Sequence, residues 1–348
     1  MRRPLPGPVA RLLAPLAVVL VLAGCATPPP APAPAPAPLP VVIDEPGPVI
    51  ARSDEFVIVT AQAGDTLEGL AKRYLDDAGK AWWIAQFNNL TSVRTGQIVV
   101  VPLRQRNPLG VVATGYQAVP ILCYHRFGPR ATKLNVTPQS FEQQMEFLAR
   151  NGYTVITFER LQRFLAGKEA LPAKSVVITI DDGYRSTFEI AYPILKKYGF
   201  PATVFLYTDF VGASDAMTWA QMKDMTSSKL VTIQPHSKSH ANLTVRLSGE
   251  TDARYRERIR REVLAPLGVI KERLGEPTFT YAYPYGDVNE YVVDLLVKDG
   301  IAQGVTVTPG GNPFYAYPYM LRRSMIFGNE DLDAFKSKLV TFVRMPRS

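Results

Sequence analysis

Cysteine and histidine are the residues that this sequence has least of. Its 348 residues include two cysteines and three histidines. One cysteine, Cys25, lies in an N-terminal leader, so Cys123 has no disulfide partner, and a disulfide-held fold is excluded. Because Cys123 ends the apolar run 119–123, it is expected to be a small buried side chain rather than a nucleophile.

Long apolar runs and a strong charge of one sign are also absent. The apolar stretch 12–23 would span about 18 Å as a helix, whereas a bilayer core is about 30 Å thick. The formal net charge of +8 is a mild excess spread along the chain, so nucleic acid is not an expected partner. With 47% apolar and 20% charged residues, the chain has material for a core, and disorder as its dominant state is excluded.

The N-terminal leader has the pattern of an export signal. Arginines precede the apolar stretch and small residues follow it. The segment Leu22-Ala23-Gly24-Cys25 resembles the lipobox of bacterial lipoproteins. That resemblance implies a signal peptide over residues 1–24, lipidation of Cys25 and a membrane anchor. Ala26 after the cysteine resembles sorting to the outer membrane, facing the periplasm; an ordinary signal peptide with an incidental cysteine is the alternative.

Proline is concentrated in one place. Of the 30 prolines, 14 lie within the first 48 residues, and residues 28–40 nearly alternate alanine with proline. Fixed φ angles and missing N–H groups favour an extended polyproline II conformation, about 40 Å long at about 3.1 Å per residue. We predict a spacer over residues 25–55 that holds the following domains away from the membrane.

Residues 56–103 form a small unit of their own. The pattern predicts a strand at 56–59, a helix begun by Asp65 and Glu68 as a capping pair, a helix at 81–87 and a strand at 96–102. This βααβ unit resembles a LysM module. The matching positions are Val59, 64–67, Ala71, Tyr74, Ile84, Asn88, 96–97 and 101–102. The resemblance implies binding to N-acetylglucosamine-containing glycans, most often peptidoglycan; a packing domain without a ligand is the alternative.

The region 117–348 alternates strands with helices. The predicted strands are 119–124, 154–157, 176–180, 202–207, 230–234, 278–282, 304–307 and 323–326. The predicted helices are 138–151, 158–166, 188–198, 219–225, 252–274, 288–298 and 332–342. This alternation indicates an α/β fold with a parallel sheet, either a barrel or a doubly wound sheet, whose chemistry gathers where strands end.

Four polar groups follow the ends of predicted strands, and they include all three histidines. They are His125, Asp181-Asp182, His236 with His240, and Pro284-Tyr285-Gly286. Each alone is compatible with a turn, a solvated loop or a core histidine. Two histidines four residues apart with one carboxylate form a catalytic zinc set, although imidazole and carboxylate also accept other divalent ions. An adjacent second carboxylate can then take a proton from water, whose pKa the metal lowers.

The motifs in this region resemble those of the polysaccharide deacetylase (NodB-homology, carbohydrate esterase) family. The motif Thr179-Ile180-Asp181-Asp182-Gly183 implies Asp181 as catalytic base and Asp182 as metal ligand. The motif His236-Ser237-Lys238-Ser239-His240 implies both histidines as ligands, and the backbone N–H of Tyr285 is implied to face the oxyanion. The family has a distorted (β/α) barrel and removes N-acetyl groups with a divalent metal; for this chain the expected metal is zinc.

Three departures from the family pattern bear on the mechanism. Ala282 occupies the position of an arginine that orients the base, and Arg185 or Arg322 could replace it. The family's Asp-x-x-x-Trp motif and its late histidine, the general acid, have no counterpart. The exopolysaccharide branch instead places a Tyr-His pair after the first strand, which resembles Tyr124-His125 and implies His125 as the acid.

These observations predict an exported lipoprotein N-deacetylase of the cell envelope. The expected partners are an N-acetylated glycan substrate, peptidoglycan through the LysM module and the membrane through Cys25. Trp219 is expected to stack on a sugar ring or only to pack. The alternative is an inactive peptidoglycan-binding lipoprotein, and the substrate stays open between peptidoglycan and exopolysaccharide.

Overall fold

A computed structural model of the chain describes residues 49–104 and 107–345. The predicted signal peptide, Cys25 and the alanine–proline tract lie outside the described residues. Within the described ranges, no helix has both the length and the apolar character needed to cross a membrane.

The small N-terminal unit is a three-stranded antiparallel sheet with two helices. Its elements are β1 (Val49–Arg52), β2 (Phe56–Thr60), α1 (Leu67–Leu75), α2 (Ala81–Asn88) and β3 (Ile98–Pro102). The sheet order is β1-β2-β3, and the predicted strand–helix–helix–strand order is present. Strand β1 was not expected, because it falls in the predicted spacer; it pairs with the edge of β2 and extends the sheet.

The first helix begins differently from the prediction. Thr66, not Asp65, is the N-cap, and its hydroxyl accepts from the N–H of Gly69 at 3.0 Å. The Asp65 carboxylate instead accepts from the N–H of Gln62 and pairs with Arg73 at 2.9 Å. Asp65 and Thr66 therefore both stabilise the turn that precedes α1.

The large domain contains thirteen strands and seven α-helices within the described residues. The strands are β4 (Val111–Val112), β5 (Gly115–Tyr124), β6 (Arg126–Phe127), β7 (Asn135–Val136), β8 (Thr154–Val155), β9 (Ser175–Asp182), β10 (Ala202–Leu206), β11 (Val231–Pro235), β12 (Thr280–Ala282), β13 (Gln303–Val305), β14 (Gly311–Pro313), β15 (Ser324–Met325) and β16 (Phe342–Arg344). The helices are α3 (Pro138–Arg150), α4 (Phe158–Leu165), α5 (Tyr192–Tyr198), α6 (Trp219–Ser227), α7 (Asp252–Leu274), α8 (Glu290–Lys298) and α9 (Leu332–Ser337).

A parallel sheet forms the centre of this domain. Its strands run in the order β11-β10-β9-β5, with β15 parallel to β5 on the far side. The parallel pair β12-β13 stands apart from that sheet, and a single bridge from Val305 to Leu321 links it towards β15. The result is the distorted α/β barrel type that the motifs predict, open along one line between β11 and β12.

Side chains close this open line, which we call the seam. The side-chain oxygen of Gln234 on β11 accepts from the backbone N–H of Phe279 at 2.9 Å and of Thr280 at 3.2 Å. Its amide nitrogen donates to the carbonyl of Pro277 at 3.1 Å. One buried glutamine thus supplies the bonds that a neighbouring strand would otherwise make.

Two predicted helices differ from the observed ones. Residues 187–191 form a π-turn before α5, because Pro193 has no N–H for the carbonyl four residues earlier. The predicted helix 332–342 is wrong beyond Ser337, since Phe342–Arg344 is a strand that pairs with the start of β5. The helix predicted at 252–274 is confirmed residue for residue as α7.

Candidate active site

The polar groups predicted at strand ends meet at one edge of the barrel. Asp181 and Asp182 are the last two residues of β9, His125 follows β5, and His236 follows β11. These strands are parallel, so their carboxyl ends lie on the same side. Both aspartates and His236 are buried, which removes them from competition with bulk water.

Asp182, His236 and His240 form a group that fits a divalent cation. Oδ1 of Asp182 lies 3.4 Å from Nε2 of His240 and 3.8 Å from Nε2 of His236. One ligand atom from each of the three residues lies within 4.8 Å of the others. The buried Oδ1 has no hydrogen-bond partner among the described residues. An orphaned carboxylate oxygen between two imidazole nitrogens is the donor set of a three-ligand catalytic metal site.

The environment of His236 prepares it as a neutral ligand. Its Nδ1 lies 2.8 Å from the carbonyl oxygen of Ala282, which can only accept, so Nδ1 carries the proton and Nε2 has a free lone pair. Burial lowers the pKa of His236 to about 4. Burial raises the pKa of Asp182 to about 6, and the negative charge of the neighbouring Asp181 acts in the same direction.

The loop that carries both histidines is held in an unusual backbone conformation. Ser237 and His240 have φ angles of 75° and 61°, in the left-handed region that non-glycine residues seldom adopt. The Ser237 hydroxyl accepts from the N–H of His240 at 2.8 Å. The buried carboxylate of Glu262 on α7 accepts from the N–H and the hydroxyl of Ser239, each at 2.8 Å. Helix α7 therefore fixes the loop from outside the barrel.

Asp181 is held by an arginine that the sequence analysis did not identify. Arg323 donates from two nitrogens to the two oxygens of Asp181, at 2.7 and 2.8 Å, and its side chain is completely buried. Burial alone would raise the pKa of Asp181, but the Arg323 guanidinium outweighs it and holds the pKa below its ordinary value. The arginine missing at Ala282 is thus replaced by Arg323, not by the predicted Arg185 or Arg322.

His125 lies close to Asp181. A ring nitrogen of His125 is within 4.8 Å of a carboxylate oxygen of Asp181, and the side chain is partly exposed. The predicted acid and base are therefore neighbours, with the predicted cation ligand Asp182 next in the chain.

Tyr285 reaches the same edge through a strained turn. Its φ is 63°, and its ring lies 4.8 Å from the ring of His240 and is 59% exposed. A side chain at the next residue, Gly286, would come within 2.6 Å of Val307, so only glycine fits there. The turn presents Tyr285 to solvent beside the metal ligands.

An aromatic wall lies beside the site and was not predicted. The Tyr207 ring is 5.3 Å from His240 and 4.9 Å from Phe210, and Phe210 is also 4.9 Å from Tyr184. Tyr207 directly follows β10, and Tyr184 follows the turn after β9. This position after a strand is the sequence feature from which both could have been predicted. Trp219, predicted for sugar stacking, is partly buried against the main core cluster, so its observed contacts are packing contacts.

Comparison with known proteins identifies relatives of this architecture. Residues 168–304 match the profile of the family described as polysaccharide deacetylase. YxkH of Bacillus subtilis is 32% identical over 192 residues, which is 55% of this chain and 65% of YxkH. The poly-beta-1,6-N-acetyl-D-glucosamine N-deacetylase of Escherichia coli K12 is 24% identical over 245 residues, which is 60% of this chain and 36% of that protein. The Streptococcus pyogenes deacetylase PplD, solved in complex with acetate, superposes with a TM-score of 0.58 at 26% identity, over 65% of this chain and 99% of PplD.

The family match covers only part of the site. It includes Asp181, Asp182, His236 and His240, whereas His125 and Arg323 lie outside it on either side. The chain spans 65% and 36% of the lengths of the two curated relatives.

Proposed function

We propose that this protein is a polysaccharide deacetylase that hydrolyses N-acetyl groups on a polymer of N-acetylglucosamine. The observation that carries the proposal is the meeting of Asp182, His236 and His240 beside the Asp181–Arg323 pair. The activity for which the Escherichia coli relative is named favours poly-N-acetylglucosamine over peptidoglycan as the substrate.

Asp182, His236 and His240 would hold one divalent cation, and zinc matches this ligand set best. When bound, such an ion polarises water and the acetamide carbonyl as a Lewis acid. The unpaired Oδ1 of Asp182 and the free Nε2 of His236 support this assignment.

The protein's own groups then divide the proton transfers. Asp181 takes a proton from the attacking water, and Arg323 keeps that carboxylate ionised and oriented. The N–H of Tyr285 donates to the developing oxyanion. His125 donates a proton to the nitrogen as the C–N bond breaks, so amide and water become acetate and an amine.

The aromatic wall of Tyr184, Tyr207 and Phe210 offers faces on which sugar rings can pack.

The remainder of the chain would place this chemistry at the cell envelope. A signal peptide over residues 1–24 and lipidation of Cys25 would anchor the protein, and the spacer would extend it from the membrane. The unit 56–103 would act as a LysM module that binds peptidoglycan. Its sheet and helix order supports this assignment, and Cys25→Ser is expected to release the protein from the membrane fraction.

Exchange of the base tests the catalytic assignment. Asp181→Asn is expected to bind the metal as the natural protein does and to lose acetate release from poly-N-acetylglucosamine, because an amide cannot take the proton. Asp182→Asn is the matched comparison and is expected to lose the metal as well. Near-normal acetate release from Asp181→Asn would remove Asp181 from the mechanism.

The same assay addresses the alternative of an inactive glycan-binding protein. Metal-loaded natural protein that releases no acetate from either poly-N-acetylglucosamine or peptidoglycan would favour that alternative. The buried charges of Asp181 and Arg323 argue against it, because a site without chemistry gains nothing from their desolvation.

A further inference from the structure

A second group of metal-ligating side chains lies beside the Asp182 site. Its members are Cys123, His125 and Asp181, and one ligand atom from each lies within 4.8 Å of the others. The proposed reaction uses Asp181 and His125 for proton transfer and gives Cys123 no role. Cys123 is completely buried near the end of β5, opposite Thr179 on the neighbouring strand β9.

The thiol of Cys123 faces the catalytic carboxylate. Sγ lies 3.5 Å from Oδ2 of Asp181, to which it donates. Arg323 bonds to each oxygen of that carboxylate once, and a carboxylate oxygen can accept twice, so Oδ2 has room for the thiol. Nδ1 of His125 is buried and has no hydrogen-bond partner among the described residues. The thiol therefore donates to an oxygen of Asp181, and His125 of the same group has a buried ring nitrogen without a partner among the described residues.

We propose that Cys123, His125 and Asp181 form a second cation site that inhibits the enzyme when zinc or another thiophilic divalent ion is in excess. The incoming ion replaces the thiol proton, which leaves to solvent, and it bonds to sulfur, nitrogen and oxygen. Thiolate, imidazole and carboxylate are all zinc ligands, and the sulfur distinguishes this site from the Asp182 site.

The position of this site explains why its occupation would stop turnover. The ion takes the carboxylate that accepts the first proton and the imidazole that donates the second. Arg323 adds a positive charge at Asp181, which weakens the site relative to the site at Asp182. The second site therefore fills only after the first. The inhibition depends on the proposed deacetylase function, whereas the binding of the ion does not.

Cobalt provides a readout of the second site that is independent of activity. In a Cys25→Ser background, Cys123 is the only thiol of the chain. Cobalt beyond the first equivalent is expected to produce the near-ultraviolet charge-transfer band of a thiolate–cobalt bond. Cys123→Ser and Cys123→Ala in the same background are expected to lack the band. Absence of the band in the protein that retains Cys123, at any excess of cobalt, would overturn the proposal.

Zinc inhibition tests the consequence for catalysis. Acetate release by the protein with Cys123 is expected to fall about tenfold when free zinc is about ten times the dissociation constant of the second site, by mass action. Both Cys123 variants are expected to keep their activity over that range and to match the natural protein at one equivalent of zinc. Equal inhibition of the variants would overturn the proposal. A thiolate band without acetate release under any condition would instead contradict the deacetylase function while supporting the site.

Discussion

At the scale of single residues, the chemistry proposed for the site depends on the Asp181–Arg323 pair. Both side chains are buried, and the paired geometry keeps the carboxylate ionised where burial alone would favour protonation. Sequence patterns located Asp181, because its motif follows a strand directly. For its partner they left Arg185 and Arg322 open, and Arg322 is one residue away from the observed partner. Successive residues of an extended segment point to opposite sides, so Arg322 is exposed while Arg323 points inward, and only the fold distinguishes them.

Removal of the Arg323 charge should change the pH dependence of the enzyme. Arg323→Gln is expected to shift the acidic limb of the pH–rate profile to higher pH, because the pKa of Asp181 rises when its positive partner is lost. The free energy of unfolding should fall by about 3–5 kcal/mol, as for other broken buried pairs. Arg323→Lys, which keeps the charge, should shift the profile less.

Arg322→Gln is the matched control for this experiment. The side chain of Arg322 is exposed and donates to the carbonyl of Pro309 at 3.4 Å. Arg322→Gln should therefore leave the pH–rate profile unchanged. An unchanged profile for a folded Arg323→Gln protein would mean that Arg323 does not set the ionisation of the base.

At the scale of elements, the loop from His236 to His240 depends on helix α7. The spacing of its histidines predicted their convergence, and the structure brings both beside Asp182. The spacing could not predict the support of the loop, because Glu262 is 23 residues from Ser239 along the chain. Charged residues are usually exposed on such a helix, whereas Glu262 is only 8% exposed.

Loss of the Glu262 carboxylate should weaken metal binding more than turnover. Glu262→Ala removes both acceptors of Ser239, so the strained loop loses its order before the metal binds. The metal dissociation constant is expected to rise about 10–100-fold, the range typical of residues that orient metal ligands. Turnover at saturating metal should change little, and Glu262→Gln, which keeps one acceptor oxygen, should lie between the two.

Glu257→Ala is the matched control, since Glu257 is exposed on the same helix. Competition with a coloured chelator measures both affinities. Equal metal affinities of the Glu257→Ala and Glu262→Ala proteins would show that the bonds between Glu262 and Ser239 do not prepare the metal site.

At the scale of the whole molecule, the barrel is closed partly by side chains. The alternation of strands and helices predicted the α/β fold, and the parallel order β11-β10-β9-β5 agrees with it. The alternation did not predict the seam, because a missing backbone ladder between β11 and β12 leaves no mark in hydrophobic periodicity. Two side chains bond across the seam. Gln234 accepts from the N–H of Phe279, and His236 bonds to the carbonyl of Ala282.

Exchange of Gln234 should destabilise the whole domain. Gln234→Met leaves the N–H groups of Phe279 and Thr280 without their acceptor. We expect the free energy of unfolding to fall by about 2–4 kcal/mol, since each orphaned buried donor costs about 1–3 kcal/mol. Urea unfolding of the metal-loaded protein measures this change.

Gln303 on β13 offers the matched comparison. Its side chain is also buried, but neither of its amide atoms has a hydrogen-bond partner among the described residues. Gln303→Met should therefore be neutral or stabilising. Similar losses of stability in both variants would mean that the seam does not depend on the bonds of Gln234.

The late position of Arg323 in the chain has a consequence for when the protein becomes active. Polypeptides are synthesised from the amino end, so Asp181 leaves the ribosome well before its guanidinium partner. Until the segment around residue 323 docks next to β5, Asp181 lacks the cation that keeps it ionised, so we expect the nascent protein to lack the proposed activity. A protease that removed the chain beyond α8 would have the same expected effect, although Asp182, His236 and His240 would all remain.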